Sequence, residues 1–156
     1  MRLPFAMLMF CSACSSSAYV VGDIDGSEFS NKTRAFAGDS DILLVDEADC
    51  IDLAWAANRY YDGINPWPGR SFTAIQVSER SGAELGTGVF GLGNDAPIRV
   101  WGLVGNGDDF NAHPGREGSV EIDEVDDRGV RGTLSVSFST SGVSAEFDAE
   151  WCINIR

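Results

Sequence analysis

Positive charge is what this chain has least of. It carries 11 Lys and Arg against 24 Asp and Glu, a formal net charge of −13 at pH 7. That balance argues against nucleic acid as a partner, because phosphate binding needs clustered cations. It argues equally against adhesion to an anionic bilayer by electrostatics alone. Histidine is nearly missing, with His113 standing alone. The two later cysteines, Cys50 and Cys152, form no Cys-x-x-Cys pair. A metal-ligand cluster therefore has too few donors, and neither metal nor cofactor is expected. No run approaches the 18 or so apolar residues that a membrane-crossing helix requires. Internal repeats, linkers and a second domain are also lacking. What the chain has in quantity is glycine, 18 in 156 residues, with 44% hydrophobic residues. That is one domain's worth of chain, dense in turns, and points to an all-β design.

The only strongly apolar stretch comes first. Leu3 to Phe10, "LPFAMLMF", follows Met1-Arg2 and precedes small residues. This is the layout of a secretory signal peptide. Ser12 and Ala13 are both small and stand directly before Cys14, as in a lipobox, where the cysteine takes the lipid. Cys11 does not fit that role, since Phe10 fills the position where the peptidase needs a small side chain. The third residue before Cys14 is Cys11, where the usual pattern has Leu. The expectation is a signal peptide over 1–13, a short tether over 14–18 and one domain over 19–156, lipid-anchored at Cys14 to a bacterial membrane, at the outer membrane or periplasmic face of the cell envelope. The alternative is soluble secretion, with cleavage after Ala13 or Ala18. Two acyl chains would hold such a protein stably, at roughly 0.8 kcal/mol per buried CH2. Cys50 and Cys152 then remain as an even count in an exported chain, the setting in which cysteines pair as a disulfide. Two free buried thiols are the rival reading.

Period-two patterning supplies the fold. "AYVVGDIDGSEF" reads as two short strands around Asp25-Gly26, and "DILLVD" as a buried strand. Residues 51–61 fit a strand or two helical turns equally well. "SFTAIQVSE", Gly86 to Leu92 and Ile98 to Val104 are further strands. The last third is the clearest. Val120 and Ile122, then Val130, Leu134, Val136 and Phe138, then Val143, Ala145, Phe147, Ala149 and Trp151 alternate inward across tight turns. The expected fold class is all-β: an antiparallel β-sandwich or flattened barrel with a C-terminal β-meander.

Several of these features occur together elsewhere. Cys14, the early Gly22, Gly26 and Phe29, the mid-chain Cys50, and the closing "GVRGTLSVSF" and "FDAEWC" resemble the small uncharacterised lipoproteins of Gram-negative bacteria. The resemblance covers most of the chain after Cys14. It implies a single sandwich domain with a Cys50–Cys152 bridge, and it implies no activity.

Candidate chemistry is sparse. Gly86, Gly88 and Gly91 match G-x-G-x-x-G, but a dinucleotide site needs a helix next, and Asn94-Asp95-Ala96-Pro97 with a further strand follows instead. In Asp23-Ile24-Asp25-Gly26 the glycine comes too early for an EF-hand loop, which leaves a turn. Glu121, Asp123, Glu146, Asp148 and Glu150 point outward and could form an acidic stripe, with a divalent cation conceivable and a solvated face preferred. His113, Asp108 and Asp109 lie in a loop expected over 105–118, a length often functional in a compact domain. Tyr60, Tyr61 and Trp67 could stack on a sugar or anchor a protein, or else fill the sandwich core; Trp67, between two prolines, is the least easily buried. The reading that follows is a non-catalytic binding or envelope-associated module for a protein or carbohydrate ligand, its surface built from Trp67 and its neighbours or from the 105–118 segment. The alternatives are a hydrolase acting on sugar or peptide, which would need two carboxylates facing across a cleft, and an inhibitor of a secreted enzyme.

Overall fold

The computed structural model describes residues 16–46, 67 and 69–152. Among them lie eleven strands and no helix: β1 (Ser17–Ile24), β2 (Ser27–Glu28), β3 (Thr33–Ala37), β4 (Asp41–Asp46), β5 (Phe72–Glu79), β6 (Gly88–Gly91), β7 (Ile98–Asn106), β8 (Asp109–Pro114), β9 (Glu117–Val125), β10 (Gly129–Ser137) and β11 (Gly142–Trp151). The all-β class expected from alternation is what the structure shows. Residues 51–61, which fit either strand or helix in the sequence, lie outside the described residues, as does Cys50.

The strands form a curled sheet in the order β6-β9-β10-β11-β3-β4-β5-β7-β8, with β1 paired to β11 and to β2. Among the described residues every pairing is antiparallel except β11 with β3, where Glu150 lies beside Phe36 and Trp151 beside Ala37. That seam divides the sheet into two arms: a meander arm (β6, β9, β10, β11) and a second arm (β3, β4, β5, β7, β8). The main core lies between them. Ile42, Leu44, Ile75 and Val77 come from one side; Val120, Ile122, Val130, Leu134, Val136 and Phe147 come from the other. Ile24, fully buried at the end of β1, belongs to the same cluster.

The second arm is apolar on its far face too. Phe36, Val45, Phe72, Ala74 and Leu103 form a second buried cluster with Trp67 and Cys152. This is why "DILLVD" reads as an unbroken run: Ile42 and Leu44 face the main core while Val45 faces the second cluster. A strand covered on both sides has no solvent face to mark with polar residues. Cys152 is 1% exposed and disulfide-bonded, and its amide donates to the Ala37 carbonyl at 2.8 Å.

Three local features depart from the sequence expectation. First, 105–118 is not a loop. Asn106 pairs with Asp109, so Gly107-Asp108 is a two-residue turn and β8 returns along β7 as far as Trp101 opposite Pro114. Glycine at the first position of a two-residue loop is the type II′ hairpin choice, and Gly107 takes φ +66° there. Second, β3 has no counterpart in the sequence expectation, because "TRAFA" is short and two of its five residues are alanine. Third, β1 already begins at Ser17, inside the stretch expected as tether, with Ser17 opposite Asp148. The Asp25-Gly26 turn stands as expected. Both residues take positive φ, +50° and +82°, and the Gly26 amide donates to Asp23 Oδ1 at 2.7 Å. The inward residues of the meander are buried as expected, apart from Trp151, which is half-buried at the strand end with its Nε1 donating to the Asp126 carbonyl.

Candidate binding surfaces

Trp67 does not form an exposed platform. It is 7% exposed and meets Phe72 edge-on, ring centroids 4.6 Å apart, while Phe72 stacks on Phe110 at 6.2 Å. The far face of the second arm needs covering, and burying an indole there is worth more than displaying it, at roughly 25 cal/mol per Å² of apolar surface. Through Phe72 and Phe110 the structure does connect Trp67 to the 105–118 segment, the two parts of the expected surface. Tyr60 and Tyr61 lie outside the described residues. Asp108 and Asp109 are exposed at the hairpin corner, and His113 is half-buried in β8 opposite Gly102. None of these three lines either of the two surface clefts described below. Gly88 and Gly91 bound the edge strand β6, which pairs with β9. They do not form a turn leading into a helix.

The outer face of the meander arm carries the acids, but not as an uninterrupted stripe. One row reads Glu121, Thr133, Glu146, Tyr19 across β9, β10, β11 and β1; another reads Glu124, Arg131, Asp148, Ser17. Thr133 and Arg131 thus keep like charges from lying directly opposite one another, an arrangement that destabilises a sheet. Between the rows, β9 has one residue more than β10: Arg131 pairs with Glu124 and Gly132 with Ile122, so Asp123 is bulged out. Arg131 holds Glu124 at 2.7 Å and Asp126 at 3.5 Å, and Arg34 holds Glu150 at 3.0 Å. Among the described residues no group of three or more His, Cys, Asp or Glu is placed to hold a metal ion. The face is shallowly dished, a cleft of about 580 Å³ lined by Asp123, Glu124, Arg131, Glu146 and Asp148, with Tyr19 exposed at its side. Two carboxylates outside the cleft are held below their ordinary range. Asp126 accepts from the Arg128 amide, then from the Gly129 amide, with the Arg128 guanidinium nearby. Glu79 accepts from the Ser81 hydroxyl and the Ala83 amide.

A second cleft, of about 480 Å³, opens where β5 and β8 end and β7 begins. Arg80, Arg99, Trp101, Pro114 and Arg116 line it. Sequence reasoning missed these three arginines, which are scattered along the chain. The Gly107-Asp108 turn could have found them: it sets Trp101 against Pro114 and so carries Arg99 and Arg116 to the same end of the hairpin. No family model, no curated protein and no solved structure matches this chain.

Proposed function

We propose that the chain is an exported β-sheet module, lipid-anchored at Cys14 to a membrane of the cell envelope, that binds a partner or ligand without catalysing a reaction. One observation supports the tethered reading above the others. The packed domain starts almost at the proposed anchor. Ser16 is buried and its hydroxyl accepts from Arg34 Nε at 2.9 Å, and β1 is paired to β11 from Ser17 onward. Two residues of extended chain reach no more than about 7 Å. A lipid at Cys14 would therefore hold the sheet close against its membrane. Such a placement suits a surface that meets envelope components.

Metabolic labelling with a palmitate analogue tests this. Wild type should incorporate label in its native cell and Cys14→Ala should not; equal labelling of the two would end the proposal. Export also makes Cys50 the proposed partner of Cys152. Non-reducing peptide mapping should recover the two in one linked fragment, and Cys152 linked elsewhere would refute the pairing.

A further inference from the structure

We infer that the cleft lined by Arg80, Arg99, Trp101 and Arg116 is a binding site for a small anionic ligand, a sugar-sized molecule bearing a phosphate or carboxylate group. The inference rests on reading the chain as a binding module and names the ligand class of one site on it.

Charge distribution is the first support. A chain with 11 basic residues against 24 acidic ones would be expected to neutralise its arginines with carboxylates, and Arg34, Arg128 and Arg131 are so paired. The three that line this cleft are not. Among the described residues none of them makes a salt bridge, and all three are exposed. Of the nearby acids, Glu79 and Asp41 are engaged elsewhere, and neither Asp95 nor Glu117 bridges to these arginines. Glu79, adjacent to Arg80, is turned onto the Ser81 amide and hydroxyl and the Ala83 amide, at 2.7 Å each. Across the sheet, Arg99 faces Ser78, and beyond it stands Asp41, two strands or about 10 Å away. Asp41 itself accepts from Gln76 Nε2 and Ser40 Oγ.

Preorganisation is the second. Arg80 donates to the carbonyls of Asn94 and Gly93 at 2.6 and 3.0 Å. Those contacts fix the guanidinium in place yet leave its charge uncompensated, because a carbonyl is neutral. Guanidinium groups offer planar, forked donors matched to the paired oxygens of phosphate or carboxylate. Beside them stand the half-buried indole of Trp101 and the ring of Pro114. An apolar wall beside exposed guanidinium groups, in a cleft of this volume, can seat a sugar-sized molecule. A polyanion is disfavoured, since the rest of the surface would repel it.

An NMR titration of the purified full-length protein tests the site, with glucose 6-phosphate, glucuronate, inorganic phosphate and glucose as probes. Glucose 6-phosphate or glucuronate should saturably shift the amides of Arg99, Trp101 and Arg116 and the Trp101 indole; whichever binds more tightly identifies the anionic group. Inorganic phosphate should shift the same signals several-fold more weakly, and glucose should leave them unmoved. The Arg99→Ala/Arg116→Ala protein should bind at least tenfold more weakly with an unchanged melting temperature. Arg99→Lys, which keeps the charge and loses the fork, should fall between. Absence of saturable shifts with both sugar anions would overturn the inference, as would full-strength binding by the double variant. Inorganic phosphate matching the sugar anions would remove Trp101 from the site and with it the sugar-sized ligand. A failed titration would leave the Cys14 labelling result standing, so the two proposals fail separately.

Discussion

The two arms of the sheet solve the problem of covering a sheet in opposite ways. In the meander arm one face packs and the other meets water: Val136 is buried while its neighbour Ser135 is exposed, and Phe147 is buried between exposed Glu146 and Asp148. In the second arm successive residues are buried on opposite sides, as with Leu44 and Val45, both at 0% exposure. The meander arm therefore has a face free to carry charge and a shallow cleft. In β3, β4 and β5 the second arm spends both faces on packing, while its edge strand β8 is largely exposed, and the arginine cleft opens at the strand ends. Tolerance to mutation should follow the same division.

The largest effect should come from unlinking Cys152, which sits in the second arm's far cluster. If Cys50 is its partner, the bridge closes a loop of roughly 100 residues, and reduction should destabilise by about 4 to 5 kcal/mol, read as a drop in urea midpoint; an unchanged midpoint would count against a structural bridge. Next, Phe36→Ala on that face should cost about 3 to 5 kcal/mol, although Phe36 points away from the main core. Leu103→Ala, on the same face, should cost about 2 to 5 kcal/mol. If either costs no more than a surface change, the far face is not a second core. In the meander arm, Thr133→Ala on the outer face should stay within about 0.5 kcal/mol of wild type, and a loss comparable to Leu103→Ala would erase the distinction between arms.

The smallest effect is tied to acid. Asp126 organises the turn between β9 and β10 as a carboxylate, through the amides of Arg128 and Gly129. Its pKa in the folded protein lies below the ordinary 3.8. The stabilisation is therefore fully present above that ordinary value and fades as pH falls through the lowered one. Melting temperature followed from pH 6 to pH 2 should show a shallower acid decline for Asp126→Asn than for wild type; parallel curves would show that this carboxylate does not contribute.

The same division explains what could be read from the sequence. The meander residues were legible because each exposed position declares itself polar, and the turn at Asp25-Gly26 because its chemistry is local. The Gly107-Asp108 turn carries an equally local signal, which competes with the reading of His113, Asp108 and Asp109 as a functional loop. β3 was hidden because Ala35 and Ala37 are too small to mark a face. Whether Trp67 is buried is not decided by its neighbours in sequence, because a far-side cluster is a property of residues distant in the chain. The arginine cleft was illegible for the same reason: Arg80, Arg99 and Arg116 become neighbours only once β5, β7 and β8 are laid side by side.

The parallel seam sets the tempo of folding. β3 and β11 meet across more than a hundred residues of chain, whereas β9–β10–β11 and β4–β5 with β7–β8 assemble from near neighbours or hairpins. Closing long loops is slow, so the seam and the β1–β11 pairing should zip last. Until they do, the rims of β3 and β11 stand bare, and a second nascent chain could dock there in place of the native strand.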